Sequence, residues 1–191
     1  MDLETFAQKA ISMGASDAIV IPSNEISVAD QLARYCRECP TYGLSPSCPP
    51  YVSGPDGFRE LKQTHKHAIV VRLDTPASTL FSDKSAAIFR LLHEIVAGVE
   101  HEAFCSGYSN SKAFAGGSCK KIFCADYSDC SALAKGGICR YPQAARPSMS
   151  GFGIDVSALM RACGWPADIR IRRTKSDSEA TSWVAGLVML G

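Results

Sequence analysis

The sequence predicts an α+β protein, with α/β as the neighbouring class: one main mixed sheet, flanking helices and two cysteine-rich metal-binding loops. Three observations carry this. Segments of helical period and segments of strand character alternate without a regular βαβ rhythm. One long helical pattern, over residues 83–101, carries an apolar stripe suited to lie on a sheet. Seven of the nine cysteines fall in two short stretches rich in glycine and proline, where neither helix nor strand periodicity would place them.

The elements follow in order. Residues 2–13 read as an amphipathic helix, with Leu3, Phe6, Ala7, Ala10 and Ile11 on one face and Gly14 as its stop. Residues 17–22 (DAIVIP) read as a buried strand and 26–29 as a second one. A turn of helix over 31–35 leads to the first cysteines. Residues 36–56 hold Pro40, Pro46, Pro49, Pro50 and Pro55 and read as loop, because proline denies the backbone its donor and its regular geometry. A loop of this length is functional or disordered, and a bound metal would supply the ordering energy. A short helix is expected at 58–64 and a central strand at 67–73.

The long helix at 83–101 keeps Ile88, Leu91, Leu92, Ile95, Val96 and Val99 in helical register. A further strand is expected at 102–107, a helix at 156–163, an alternating strand at 169–172 (IRIR) and a terminal strand at 183–190. Arg170, Arg172 and Arg173 read as a solvated strand face. Residues 1–191 are expected to form a single domain, with cysteine-rich segments at 36–56 and 105–156 inside it. No internal repeat or low-complexity linker interrupts the chain.

The composition is that of an ordinary globular chain with a sizeable core: 46% hydrophobic, 20% charged, net charge +1. A balance this even points to no nucleic acid and no anionic membrane surface. The N-terminus lacks a signal-peptide apolar region and no run reaches the ~20 apolar residues of a membrane span. The expected location is therefore cytoplasmic. Disulfides are rare in that compartment, so clustered cysteines there indicate metal or redox chemistry.

The first group is Cys36-x2-Cys39-x8-Cys48; the second is Cys119-x4-Cys124-x5-Cys130-x8-Cys139. Thiolates are soft ligands that suit zinc and iron–sulfur clusters. Structural zinc favours two Cys-x2-4-Cys knuckles, which Cys36/Cys39 and Cys119/Cys124 match only in part. Four-iron clusters take ligands at variable gaps from a wrapped loop, often with proline beside a cysteine, as at Cys39-Pro40 and Cys48-Pro49. The second group has four thiolates of its own, and amides of Gly117, Gly136 and Gly137 are candidate donors to it. The first shows three, its fourth ligand being Cys105, Cys163, a carboxylate, water or a ligand exchanged between the groups. Cys105 and Cys163 read foremost as small hydrophobes. His93 reads as a partly buried, satisfied histidine, and His65 and His67 as surface residues. Tyr42, Tyr51 and Tyr127 read as lids over the sites. Phosphate-loop, dinucleotide, nucleophile-elbow and HExxH motifs are absent.

CRECPTYGLSPSCPPY (36–51), together with GGSCKKIFC and GGICRYPQAARPSMSGFGIDV within 116–156, resembles the predicted metal-binding proteins grouped as domain of unknown function 2284. CRYP-x2-ARPSMSGFGIDV is the most specific part. The resemblance implies that Cys36, Cys39, Cys48, Cys119, Cys124, Cys130 and Cys139 are metal-ligand positions, and it implies little about a substrate. It also draws attention to Arg140, Arg146 and Met149. An arginine beside a cluster would offset its negative charge, bind an anion or pair with Asp155; Met149 reads as a packing residue. The resulting expectation is a protein with two four-iron clusters that passes electrons to a redox partner. Its alternatives are an enzyme with an open site on Cys36, Cys39 and Cys48, and a zinc-stabilised interaction module.

Overall fold

The run Thr181–Leu190 (TSWVAGLVML) is apolar almost end to end, and a strand of that composition must be covered on both faces. The computed structural model describes residues 2–167 and 181–191. In it this run is the inner strand β4 of a four-stranded sheet, with every residue after Thr181 buried. The other strands are β1 (Asp17–Pro22), β2 (His67–Pro76) and β3 (Lys112–Phe114), in the order β1-β2-β4-β3. All three ladders are antiparallel, where a mixed sheet was expected. The one parallel pairing among the described residues is an isolated bridge, Ala115–Ser148. The class is α+β.

The period of two along β2 divides the core. Ile69, Val71 and Leu73 face helices α1 (Glu4–Ser12) and α5 (Ser85–Cys105), which bury Phe6, Ala10, Leu92, Ile95, Val96 and Val99 against them; the single turn α4 (Ala77–Leu80) leads from β2 into α5. Ala68 and Val70 face the other layer, built from α3 (Gly54–Thr64), the short turn Met149–Phe152 and α7 (Val156–Ala162). Phe58, Phe114 and Phe152 meet there edge to face, with centroids 4.9–6.3 Å apart. Gly186 lets α5 lie close on β4, since a Cβ there would sit 2.5 Å from Val96 Cγ1.

Several elements depart from the sequence reading. The strand expected at 102–107 is the end of α5, which runs on to Cys105 because Ala103 continues the buried stripe four residues after Val99. Residues 26–29 form no strand but a single bridge, Val28–Ile154. Helix α3 begins four residues early, at Gly54, with Pro55 in its first turn, where proline's missing donor costs nothing. Strand β3 was hidden in the Gly/Ser-rich run before Cys119; three residues are too few for a periodic signal. The strand expected at 169–172 and its arginines lie outside the described residues. No described helix is long and apolar enough to cross a membrane.

Candidate metal centre

The segment Pro147–Asp155 stitches distant parts of the chain together, and so decides where the cysteines go. The amide of Met149 donates to Ala115 O, and that of Ala115 to Pro147 O. Ser148 N donates to Ser47 O at 3.1 Å, in the middle of the first cysteine loop. At the other end Ala29 N donates to Gly153 O and Asp155 N to Ser27 O. Asp155 then caps α7, its Oδ1 accepting from Ala158 N at 2.9 Å. The strap thus holds the approach to Cys36, the loop around Cys48 and the strand leading to Cys119 side by side.

The first loop descends from α2 (Asp30–Arg34) through the turn Tyr35–Glu38. It closes through Gly43 N to Pro49 O at 2.9 Å. Cys36 is half-buried, Cys39 exposed and Cys48 buried. Burial pushes the Cys36 thiol up, and the neighbouring Cys39 and Cys48 push it further. Cys39 Sγ lies 3.1 Å from Thr41 Oγ1 and Cys48 Sγ 3.6 Å from Ser118 Oγ, which belongs to the second segment. Cys36, Cys39 and Cys48 all line one partly enclosed cavity of about 710 Å³.

The second segment begins with α6 (Cys119–Phe123), a helix of little more than one turn. Gly117 precedes it at φ +83°, and a Cβ there would press within 3.1 Å of Phe89 and Ile122. Cys119 and Cys124 are buried together with Ile122, Phe123 and Ala144. Burial raises the Cys119 thiol; the hydroxyls of Ser47 and Ser45 beside it act the other way, and the charges of Cys48 and Cys139 raise it again. Cys119 therefore faces the first loop as much as its own. Ser45 is fully buried, and apart from its approach to the Cys119 sulfur its hydroxyl has no hydrogen-bond partner among the described residues. An orphaned donor beside a sulfur fits a thiolate or sulfide acceptor. Cys130 and Cys139 are half-buried, flanking the turn Ser131–Leu133 and the exposed run that follows it. Among the described residues, no three His, Cys, Asp or Glu side chains converge tightly enough to grip one metal ion.

Two basic residues near the cysteines are structural anchors. Arg146 Nε donates to Glu100 Oε2 at 2.6 Å, and its Nη1 to Pro142 O and Ala145 O. Its partner is Glu100 on α5, which also accepts from Ala113 N, and not Asp155. Arg140 lies 4.1 Å over the Tyr127 ring and donates to Asp129 O. Tyr42, Tyr51 and Tyr127 are all exposed, and Tyr42 lines the cavity with the first three cysteines. Met149 is buried in the core, as a packing residue.

Lys120 is the residue that sequence reasoning missed. It is buried, and its Nζ donates to Cys124 O at 2.8 Å and Tyr127 O at 2.6 Å. Nothing in CKKIF separates it from the exposed Lys121 except position: with α6 packed by Phe123 and Ile122, one lysine turns in and the other out. The Gly137 amide is occupied by Ala134 O and so is not a free donor to a cluster.

The histidines divide differently from the expectation. His93 is fully buried, its Nδ1 accepting from Arg146 N at 3.1 Å. Burial lowers its pKa to about 4, the Gly116 carbonyl opposing, the Arg146 charge assisting and the Ala144 carbonyl opposing. His67 is exposed as expected. His65 is buried, not superficial: its ring bonds Asn110 O at 2.8 Å, Thr64 Oγ1 and Leu61 O, because the end of α3 tucks under the β3 approach. Cys105 is exposed at the end of α5, beside His101. Cys163 sits in the layer of α3 and α7, where burial, then the charges of Glu25 and Asp17, push its thiol up to about 12 despite Arg72. Neither lines the cavity of the first three cysteines.

A family model described as a predicted metal-binding protein, domain of unknown function 2284, matches residues 19–190. No curated protein and no solved structure matches the chain. The chain belongs to this family of predicted metal-binding proteins. Of the described elements, only α1 and the first two residues of β1 lie outside the matched span.

Proposed function

We propose that this protein is an iron–sulfur protein that carries two four-iron clusters and passes single electrons to a partner protein. The observation that supports this most is the apposition of the two cysteine segments by the 147–155 strap, with Cys48 and Cys119 neighbours across the junction. Cys36, Cys39 and Cys48 would hold one cluster, and Cys119, Cys124, Cys130 and Cys139 the other. A bound cluster supplies reversible one-electron chemistry. The chain's own contributions are the seven soft donors, the orphaned Ser45 hydroxyl as a donor to sulfur, and low-dielectric cover from Phe89, Phe123 and Tyr141. Arg140, held over Tyr127, supplies positive charge near the second group. Adjacent centres would allow an electron to pass from one to the other before it leaves for the partner.

One observation favours a second reading, an enzyme with an open coordination position. The three thiols of the first group face a cavity, and no fourth cysteine lines it among the described residues. The Cys119 thiol lies against Ser45 and Ser47 and is not on the cavity wall.

Anaerobic purification followed by iron, zinc and sulfide analysis, with paramagnetic resonance of the reduced protein, tests the proposal. Matching amounts of iron and sulfide, with a resonance signal on reduction, are expected. Zinc alone, without sulfide, would replace both readings with a zinc-stabilised interaction module.

A further inference from the structure

We infer that the cavity on Cys36, Cys39 and Cys48 is a binding site for a small organic anion, a carboxylate or phosphate on an apolar body, anchored by Lys121. This rests on the open-site reading for its chemical purpose, though the cavity and its walls do not depend on a metal.

The cavity volume, about 710 Å³, lies within the ~300–1,000 Å³ of sites that enclose small molecules, and far exceeds what one ion or a few waters fill. Its cysteine end is one part of it. The rest extends between α5 at Phe89, α6 at Ile122 and the start of α7 at Val156, with Tyr35 on the side of the first loop. Those walls are hydrocarbon and aromatic, and would take the body of a ligand out of water.

Most of the polar groups on the wall are hydroxyls. Hydroxyls of Ser85, Ser118, Ser150 and Ser157 stand on the wall, and hydroxyls are donors to an oxyanion. Lys121 is the one basic side chain among the described lining residues, and it takes part in no ion pair among the described residues. The one acidic side chain on the wall, Asp155, has an oxygen engaged in capping α7. The contrast within CKKIF is instructive: Lys120 turns inward and is held by two carbonyls, whereas Lys121 is left exposed at the cavity.

The test is a titration of the full-length protein, purified anaerobically, with four probes of one shape: benzoate, phenyl phosphate, benzamide and benzylamine. Calorimetry or ligand-observed NMR reads the affinities. Both anions should bind at least tenfold tighter than the amide, and the amine should be weakest. Lys121→Gln should abolish the tenfold preference while leaving benzamide unchanged. Ala86→Trp, which fills the cavity from α5, should remove all binding. Equal affinities for anion and amide, a preference that survives Lys121→Gln, or binding that survives Ala86→Trp would each overturn the inference. Metal analysis of the unmutated protein beside the titration separates the two layers: anion binding with no metal in the first group supports the cavity site while the open-metal reading fails, and full metal without anion binding overturns the cavity site while the open-metal reading stands.

Discussion

The loop at 36–48 and the segment at 119–139 reach the same corner of the molecule, but they are held there differently. The second is tied largely to itself. Lys120 reaches back to the carbonyls of Cys124 and Tyr127, Ser131 Oγ donates to Ile138 O, and Arg140 donates to Asp129 O while lying on Tyr127. Two of its thiols are buried in their own small apolar cluster. The first is tied from outside, by Ser148 N to Ser47 O and by the contact of Cys48 with Ser118, and within itself it has short turns and the single closure of Gly43 N on Pro49 O. One segment is closed and internally braced; the other is open on a cavity and depends on the strap. A site meant only to store an electron gains from the first arrangement, and a site that admits a small molecule requires the second.

Four measurements would break or sharpen that contrast. The largest effect is expected at Cys48, which sits at the junction. Cys48→Ser should empty the first group and weaken the second, lowering bound metal by more than half in elemental analysis of anaerobically prepared protein. Loss confined to the first group would mean that the two are independent.

Acid should act on the second segment through His93. Between pH 6.5 and about 4 the unfolded chain binds a proton that the folded chain refuses. Stability from this group is therefore complete above pH 6.5 and is lost as pH falls toward 4, by on the order of 3 kcal/mol. Urea denaturation across that range checks it, and His93→Asn, which keeps an acceptor for Arg146 N, should flatten the dependence. An unchanged slope in the variant would assign the acid sensitivity elsewhere.

Lys120→Met removes both bonds that brace the Cys124–Tyr127 turn. A cost of about 2 kcal/mol is expected, since hydrogen bonds from a charged donor are lost while the burial penalty of the ammonium is relieved. Hydrogen exchange should quicken over 124–130 and stay unchanged over 36–48; equal loosening of both would deny that the second segment braces itself. The smallest effect belongs to Cys105→Ser, at an exposed helix end: stability within about 0.5 kcal/mol and unaltered metal content. Metal loss there would return Cys105 to the ligand set.

Much of the scaffold was legible in the chain. The apolar period of 88–99 and the runs 17–22, 67–73 and 183–190 declare a helix and three strands, because burial on a 3.6- or 2-residue period is a local property. The over-reading of 102–107 shows the limit: apolar residues at a helix end look the same whether the next element is strand or more helix, and only the packing of Ala103 decides. His65 and Lys120 show it again, since whether a polar side chain is buried depends on what lies across from it.

The sequence by itself determined that the chain is α+β and that seven cysteines gather in two short stretches, because thiol spacing and proline content are written residue by residue; that Cys119 opens a helical turn, α6, was not written there. The most specific run, ARPSMSGFGIDV, was legible as a motif but not as a strap. Its bonds go to Ser47, Ser27, Ala29 and Ala115, at separations that no local pattern encodes. Only the tertiary structure placed Cys119 beside Cys48, turned Lys120 inward and Lys121 outward, and opened a cavity at the first three thiols. Those are relations between surfaces that meet only once the sheet and its helices have closed.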